Sequence, residues 1–70
     1  MTYNGWRNRA TWAACLWLGN DEGLYNAVRA GEDPMEILLA HEGFRGDVSA
    51  ADIIDIDADE LLGCVEELRE

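Results

Sequence analysis

No lysine occurs in this 70-residue chain: its five basic residues are all arginine, set against fifteen aspartates and glutamates. That shortage argues against direct binding to nucleic acid, because affinity for a phosphate backbone comes largely from neutralising phosphates with basic side chains. Arg7 and Arg9, with Trp6 and Trp12, make one small basic aromatic cluster. They are expected to neutralise the protein's own acids instead. Long apolar runs are missing as well. None approaches the roughly 18 to 20 residues needed to cross a bilayer, and the start, Met-Thr-Tyr-Asn-Gly-Trp-Arg, has no apolar signal core. The expectation is a cytoplasmic protein with no membrane partner.

Histidine occurs once, as His41. It is expected late in a third helix, where an imidazole suits the negative end of the dipole, and no matched cysteine or serine nucleophile accompanies it. No enzyme class has its inventory here. Cysteine occurs twice, as Cys15 and Cys64, without the C-x-x-C spacing of a zinc site. Both fall among apolar helix positions, and in a reducing compartment they read as buried free thiols rather than a disulfide. Asp55, Asp57 and Asp59 give the D-x-D-x-D start of a calcium loop. Glu60 stands where such a loop needs glycine, however, and Leu61, Leu62 and Val65 continue a helical apolar face. No metal or other cofactor is expected.

What the chain has in excess is negative charge, and it is unevenly placed. Residues 1 to 20 carry +2, residues 21 to 46 carry -4 and residues 47 to 70 carry -8, for a net charge of -10. Such a surface repels itself, and its field attracts basic surfaces. The hydrophobic fraction of 49% is too high for a disordered acidic tail. The chain is therefore expected to form a single acidic helical domain over residues 1–70.

The periodicity predicts an all-α fold, a compact bundle of four to five short helices around a tryptophan-rich first helix. Asn8 or Thr11 can cap a first helix running to about Leu18, apolar nearly all round and so placed at the centre of the bundle. Gly19-Asn20 stops it, and Asp21 caps a second helix that turns Leu24, Tyr25 and Val28 inward and ends at Gly31. Asp33-Pro34 starts a third, packed through Met35, Ile37, Leu38 and Leu39. Gly43 and Gly46 bracket an irregular loop from which Phe44 plugs the core. Ser49 with Asp52 opens a brief turn carrying Ile53 and Ile54. Asp57 with Glu60 forms a capping box for a last helix whose inner face is Leu61, Leu62, Val65 and Leu68. A strand over residues 52–57 would have no partner.

The constellation left to carry a function is carboxylate. Glu60 and Glu67 lie seven residues apart on the last helix, with Asp59, Glu66 and Glu70 on an adjacent stripe, so that both rows face one side. Acids three to four residues apart on a helix are about 5 to 6 Å apart, comparable with the roughly 3.4 Å of helix axis per phosphate along a DNA strand. Asp47, Asp52, Asp55 and Asp57 extend the track. Ordinary solvated faces mix signs for pairing, and this one does not.

Residues 4 to 25, with Asn4, Gly5, Trp6, Asn8, Thr11, Trp12, Leu16, Trp17, Asn20, Asp21, Glu22, Gly23 and Tyr25, give an N-G-W, N-x-x-T-W, L-W and N-D-E-G pattern. It resembles a family of small acidic proteins encoded by bacteriophages and mobile elements. The resemblance implies an origin more than a function. The motif residues read as fold-defining: a tryptophan core, an Asn8 cap and an Asn20-Asp21 junction. In size, charge and origin the chain is also similar to anti-CRISPR and antirestriction proteins, which disarm host defences by occupying DNA sites.

The expected function is thus an acidic DNA mimic that presents Asp47, Asp52, Asp55, Asp57, Asp59, Glu60, Glu66 and Glu67 to a basic DNA-binding surface of a host CRISPR effector or restriction enzyme, in the cytoplasm of the bacterial host. The alternative is a phage accessory or scaffold protein that binds a partner through an exposed apolar patch around Tyr3, Trp6 and Tyr25.

Overall fold

A computed structural model describes residues 5–70. Among them are six helices and no strand: α1 (Arg9–Asn20), α2 (Glu22–Arg29), α3 (Pro34–Leu39), α4 (Glu42–Asp47), α5 (Ala50–Ile53) and α6 (Ala58–Leu68). The all-α bundle expected from the periodicity is what forms.

Every helix begins in the same way. A side-chain acceptor three residues ahead takes a backbone N–H that the first turn would otherwise leave unpaired. Asn8 accepts from Thr11, Asp21 from Leu24, Asp33 from Glu36, His41 from Phe44, Ser49 from Asp52 and Asp57 from Glu60, at 2.9 to 3.3 Å. A serine, aspartate or asparagine cap of this kind stabilises its helix by about 1 kcal/mol, which matters for helices as short as four to six residues. Asp21 serves two helices, ending α1 with its backbone N–H on the Trp17 carbonyl and starting α2 with its carboxylate. The Asn20-Asp21 junction is therefore real and depends on one side chain. Gly31, at φ 96°, ends the second helix's turn in a conformation that other residues rarely adopt.

The core is built from small residues on α1 and larger ones around it. Ala10, Thr11, Ala13, Ala14 and Leu18 are buried on α1. They meet Leu24, Val28, Leu38, Phe44, Val48, Leu61 and Val65. Alanines let neighbouring backbones come close, and α1 packs against α2, α3 and α6.

Helix α6 lies along α1 in the same direction. Their N-terminal ends are joined where the Asp57 N–H donates to Thr11 Oγ1 at 2.9 Å, their middles by a Cys15–Cys64 disulfide, and their C-terminal ends where Gly19 faces Leu68.

Several expectations are corrected. The cysteines are not free thiols: α1 and α6 run in register, which brings positions 49 apart in sequence to a Cα separation of 6.2 Å. The Gly43 to Gly46 segment is helix α4 and not an irregular loop, because His41 caps it and fully buried Phe44 anchors it. His41 accordingly lies beyond α3 rather than late within it. Helix α1 is touched on several sides as expected, by α2, α3 and α6, while Leu16 on its outer side is 44% exposed. The tryptophans do not make the core; Trp6, Trp12 and Trp17 are each half-buried, with Trp12 and Trp17 packed on its margin. Leu62 and Leu39 face outward, as does Ile54. Asp57 and Glu60 form no reciprocal box, because the Asp57 N–H goes to Thr11 and Glu60 turns to accept the Arg7 N–H at 2.7 Å.

Candidate functional site

The eight carboxylates of the expected acidic face divide into two groups. Three have work inside the fold. Asp47 accepts from the Trp17 indole N–H at 3.0 Å and from the Arg9 guanidinium at 3.2 Å. Asp57 caps α6 and pairs with Arg7 at 3.6 Å. Glu60, half-buried, receives the Arg7 backbone N–H. The other five, Asp52, Asp55, Asp59, Glu66 and Glu67, are exposed, and their carboxylates have no partner among the described residues. Asp55 contributes only its backbone carbonyl, which accepts from the Asn8 amide at 2.7 Å.

On α6 the burial of Leu61, Cys64 and Val65 fixes which way the helix faces. Asp59 and Glu66, seven residues apart, then fall on the outermost stripe, with Glu67 on the flank shared with Glu60. Asp52 and Asp55 stand on and just after the short α5, and Asp47 ends α4 beside Trp17. The continuous part of the array is therefore the α6 face.

Four of the five arginines are engaged away from these five acids. Arg7 and Arg9 take one carboxylate each. Arg29 instead donates to the carbonyls of Leu68 and Glu70, and Arg69 to those of Val28 and Glu32. Both guanidinium groups thus lie at the negative ends of helices, where cations are favourable. Neither is paired with a carboxylate side chain among the described residues.

A second feature is the outer side of α1, lined by the motif tryptophans. A cleft of about 250 Å³ is bounded by Leu16, Trp17, Asn20 and Asp21. A neighbouring one of about 190 Å³ is bounded by Trp6, Trp12, Cys15, Leu16 and Asn20. A third, of about 320 Å³, lies between Gly5-Trp6 and the Glu60, Gly63, Cys64 and Glu67 side of α6. Trp17 is held firmly here: its N–H is bonded to Asp47, and its ring lies 5.3 Å from that of His41, tilted by 53°. Gly43 allows this approach, since a Cβ there would come within 2.8 Å of Trp17 Cη2 and 2.9 Å of His41 Cε1. The expected apolar patch around Tyr3, Trp6 and Tyr25 differs from this. Tyr25 lies under the Arg29 guanidinium, 5.6 Å from the ring centroid, and Tyr3 and Asn4 lie outside the described residues.

His41 has both ring nitrogens engaged. Nδ1 accepts the Phe44 N–H at 3.3 Å, so the neutral ring carries its proton on Nε2, 3.2 Å from Asp21 Oδ2. The Leu24 N–H, helped by His41, holds the Asp21 carboxyl below the usual aspartate range. The Trp17 N–H and then Arg9 do the same for Asp47. Among the described residues, no three His, Cys, Asp or Glu side chains are grouped so as to hold a metal ion. No helix of the described residues is long and apolar enough to cross a membrane.

Comparison with known families matches residues 1–41 to DUF7249, a family of unknown function. No curated protein and no solved structure matches the chain. The matched segment carries all three tryptophans and ends before the first of the eight carboxylates.

Proposed function

We propose that this chain, which belongs to the DUF7249 family of unknown function, is a non-catalytic binding protein whose acidic face occupies a basic, nucleic-acid-binding surface on another protein. One observation carries the reading. Arg29 and Arg69 are directed at helix carbonyls, leaving Asp52, Asp55, Asp59, Glu66 and Glu67 exposed and unpaired among the described residues. A solvated face of ordinary composition would interleave bases with these acids. Asp59 and Glu66, with Glu67 beside them, instead form anionic rows on a helix packed along α1. Rows of that kind can stand where a basic channel otherwise receives phosphates. The resemblance to small acidic phage proteins points to a host defence complex, a CRISPR effector or a restriction enzyme, as the owner of that channel, and to the bacterial cytoplasm as the place.

The test is charge reversal. The triple variant Asp59→Lys, Glu66→Lys, Glu67→Lys alters only exposed side chains without described partners, so its helical circular dichroism is expected to persist. Its ability to displace DNA from such an enzyme is expected to be lost. For the native chain, displacement should weaken steeply between roughly 0.05 and 0.5 M salt, as screening takes over. Undiminished displacement by the folded triple variant would defeat the reading.

A further inference from the structure

The clefts on the outer side of α1 are contiguous. Leu16 and Asn20 border both the Trp17 cleft and its neighbour, and Trp6 borders that neighbour and the cleft reached by Glu60 and Glu67. The result is a groove with apolar and aromatic walls and a carboxylate at each end: Asp21 beside Trp17, and Glu60 with Glu67 beyond Trp6. Trp17 is already locked in place by Asp47, His41 and the missing Cβ of Gly43. A pre-positioned indole loses little freedom on binding, and tryptophan is prominent among the residues that dominate interface energies. Leu16, in the middle of the first helix, is 44% exposed and lines two of these clefts.

We propose that this groove docks a short amphipathic basic segment of a partner protein. One apolar side chain of that segment enters the cleft between Leu16 and Trp17, and an arginine or lysine lies against Trp6 within reach of Glu60 and Glu67. A cleft of about 250 Å³ accommodates a single large apolar side chain. A cation over an indole face is attracted by the ring, and the two carboxylates complete its surroundings. The acids at both ends select a basic occupant. They also oppose a second copy of this chain, whose net charge is -10. The partner is of the same basic class as in the function proposed above, and to that extent the inference rests on it. The groove adds a demand for shape and apolar contact that an imitation of phosphates lacks.

The probe is an acetylated, amidated amphipathic peptide with leucine and arginine at helical spacing, compared with a scrambled peptide of the same composition. It is titrated into the isotope-labelled full chain, and the three indole N–H signals are assigned by single Trp→Phe changes. The amphipathic peptide is expected to shift the Trp17 and Trp6 signals saturably, while the scrambled one binds about tenfold more weakly, a difference of about 1.4 kcal/mol. Leu16→Asp should abolish the Trp17 shift. Glu67→Gln, at an exposed residue, should weaken binding severalfold and serves as the second variant if Leu16→Asp fails to fold. Equal binding of both peptides, or an unchanged titration in these variants, would overturn the proposal. So would indole shifts that follow protein concentration alone with a dimer in sedimentation, which would assign the groove to a second copy. Reversal of Asp59 and Glu66 to lysine separates the two ideas: the groove predicts peptide titration that survives it, whereas DNA displacement should not.

Discussion

Arg29 and Arg69 hold each other's helix ends. Arg29, the last residue of α2, donates to the Leu68 carbonyl at 3.0 Å and the Glu70 carbonyl at 3.2 Å. Arg69, which ends α6, donates to the Val28 carbonyl at 2.8 Å and the Glu32 carbonyl at 3.1 Å. Two helix C-termini would otherwise meet with their negative ends together and their last carbonyls unpaired. The exchange satisfies both with the same pair of side chains.

Removing either arm should cost more than an ordinary surface change. Arg69→Ala is expected to destabilise by about 1 to 2 kcal/mol, the range for charge-assisted hydrogen bonds at a partly exposed site. That is a fall in melting temperature of roughly 4 to 16 °C in a domain this small. Arg29→Ala should cost less, because its donors are exposed. In a double-mutant cycle the two losses should fail to add, since each arginine braces the helix end that presents the other. Strict additivity in thermal melts would argue against the coupling.

The Cys15–Cys64 bridge closes a long stretch of chain. For a separation of 49 residues, the loss of unfolded-state freedom corresponds to roughly 4 kcal/mol. Reduction, or Cys64→Ser, should therefore lower the denaturant midpoint substantially. The effect should vanish when the same reductant is added to the Cys15→Ser, Cys64→Ser double variant. An unchanged midpoint on reduction of the native chain would show that the bridge does not constrain it.

Acid should weaken the anchoring of Trp17. The Asp47 carboxyl lies below the usual aspartate range because the Trp17 N–H, and then Arg9, favour its charged form. A depressed folded-state value contributes stability that is present above the unfolded aspartate pKa of about 3.9 and lost as pH falls through the folded value. The melting-temperature gap between the native chain and Asp47→Asn is thus expected at neutral pH and should close at strongly acid pH. A gap independent of pH down to about 2 would place its origin elsewhere.

Two glycines inside helices should respond oppositely to alanine. At Gly43 the added Cβ meets Trp17 and His41 at under 3 Å. That crowding, at about 1 to 3 kcal/mol, matches or outweighs the gain in helix propensity of about 1 kcal/mol. Gly43→Ala should therefore be neutral to destabilising and should change Trp17 fluorescence. At Gly63 nothing lies within 4 Å. Gly63→Ala should stabilise α6 by up to about 1 kcal/mol. Chemical denaturation of the two variants checks both signs.

How much of this was legible depended on the range of the interaction. The caps at Asn8, Asp21, Asp33, Ser49 and Asp57 could be read from the chain because a cap and its N–H are three residues apart. Helix α4 could not, since two glycines count against a helix and what holds it, buried Phe44 and the Trp17 ring beside His41, is tertiary. Tryptophans look like core by size. Here, Ala10, Ala13 and Ala14 take the inner face of α1, the helices draw close, and the indoles are left at the margin. Pairing of Cys15 with Cys64 needed the register of α6 along α1, which no local pattern encodes. For the candidate site, the stripe of Asp59 and Glu66 followed from helical spacing alone. The recruitment of Asp47 by Trp17, and of Asp57 and Glu60 by Arg7, did not, because each depends on chain segments 30 or more residues away.

The bridge between α1 and α6 has a topological consequence. Everything from α2 to α5 lies within one covalently closed circuit, including the exposed stretch around Ala50 and Ala51. A protease that nicks the chain there makes two polypeptides but not two molecules. The halves stay fastened until a reductant parts them, so that an undivided band on a non-reducing gel is no proof of an uncut backbone.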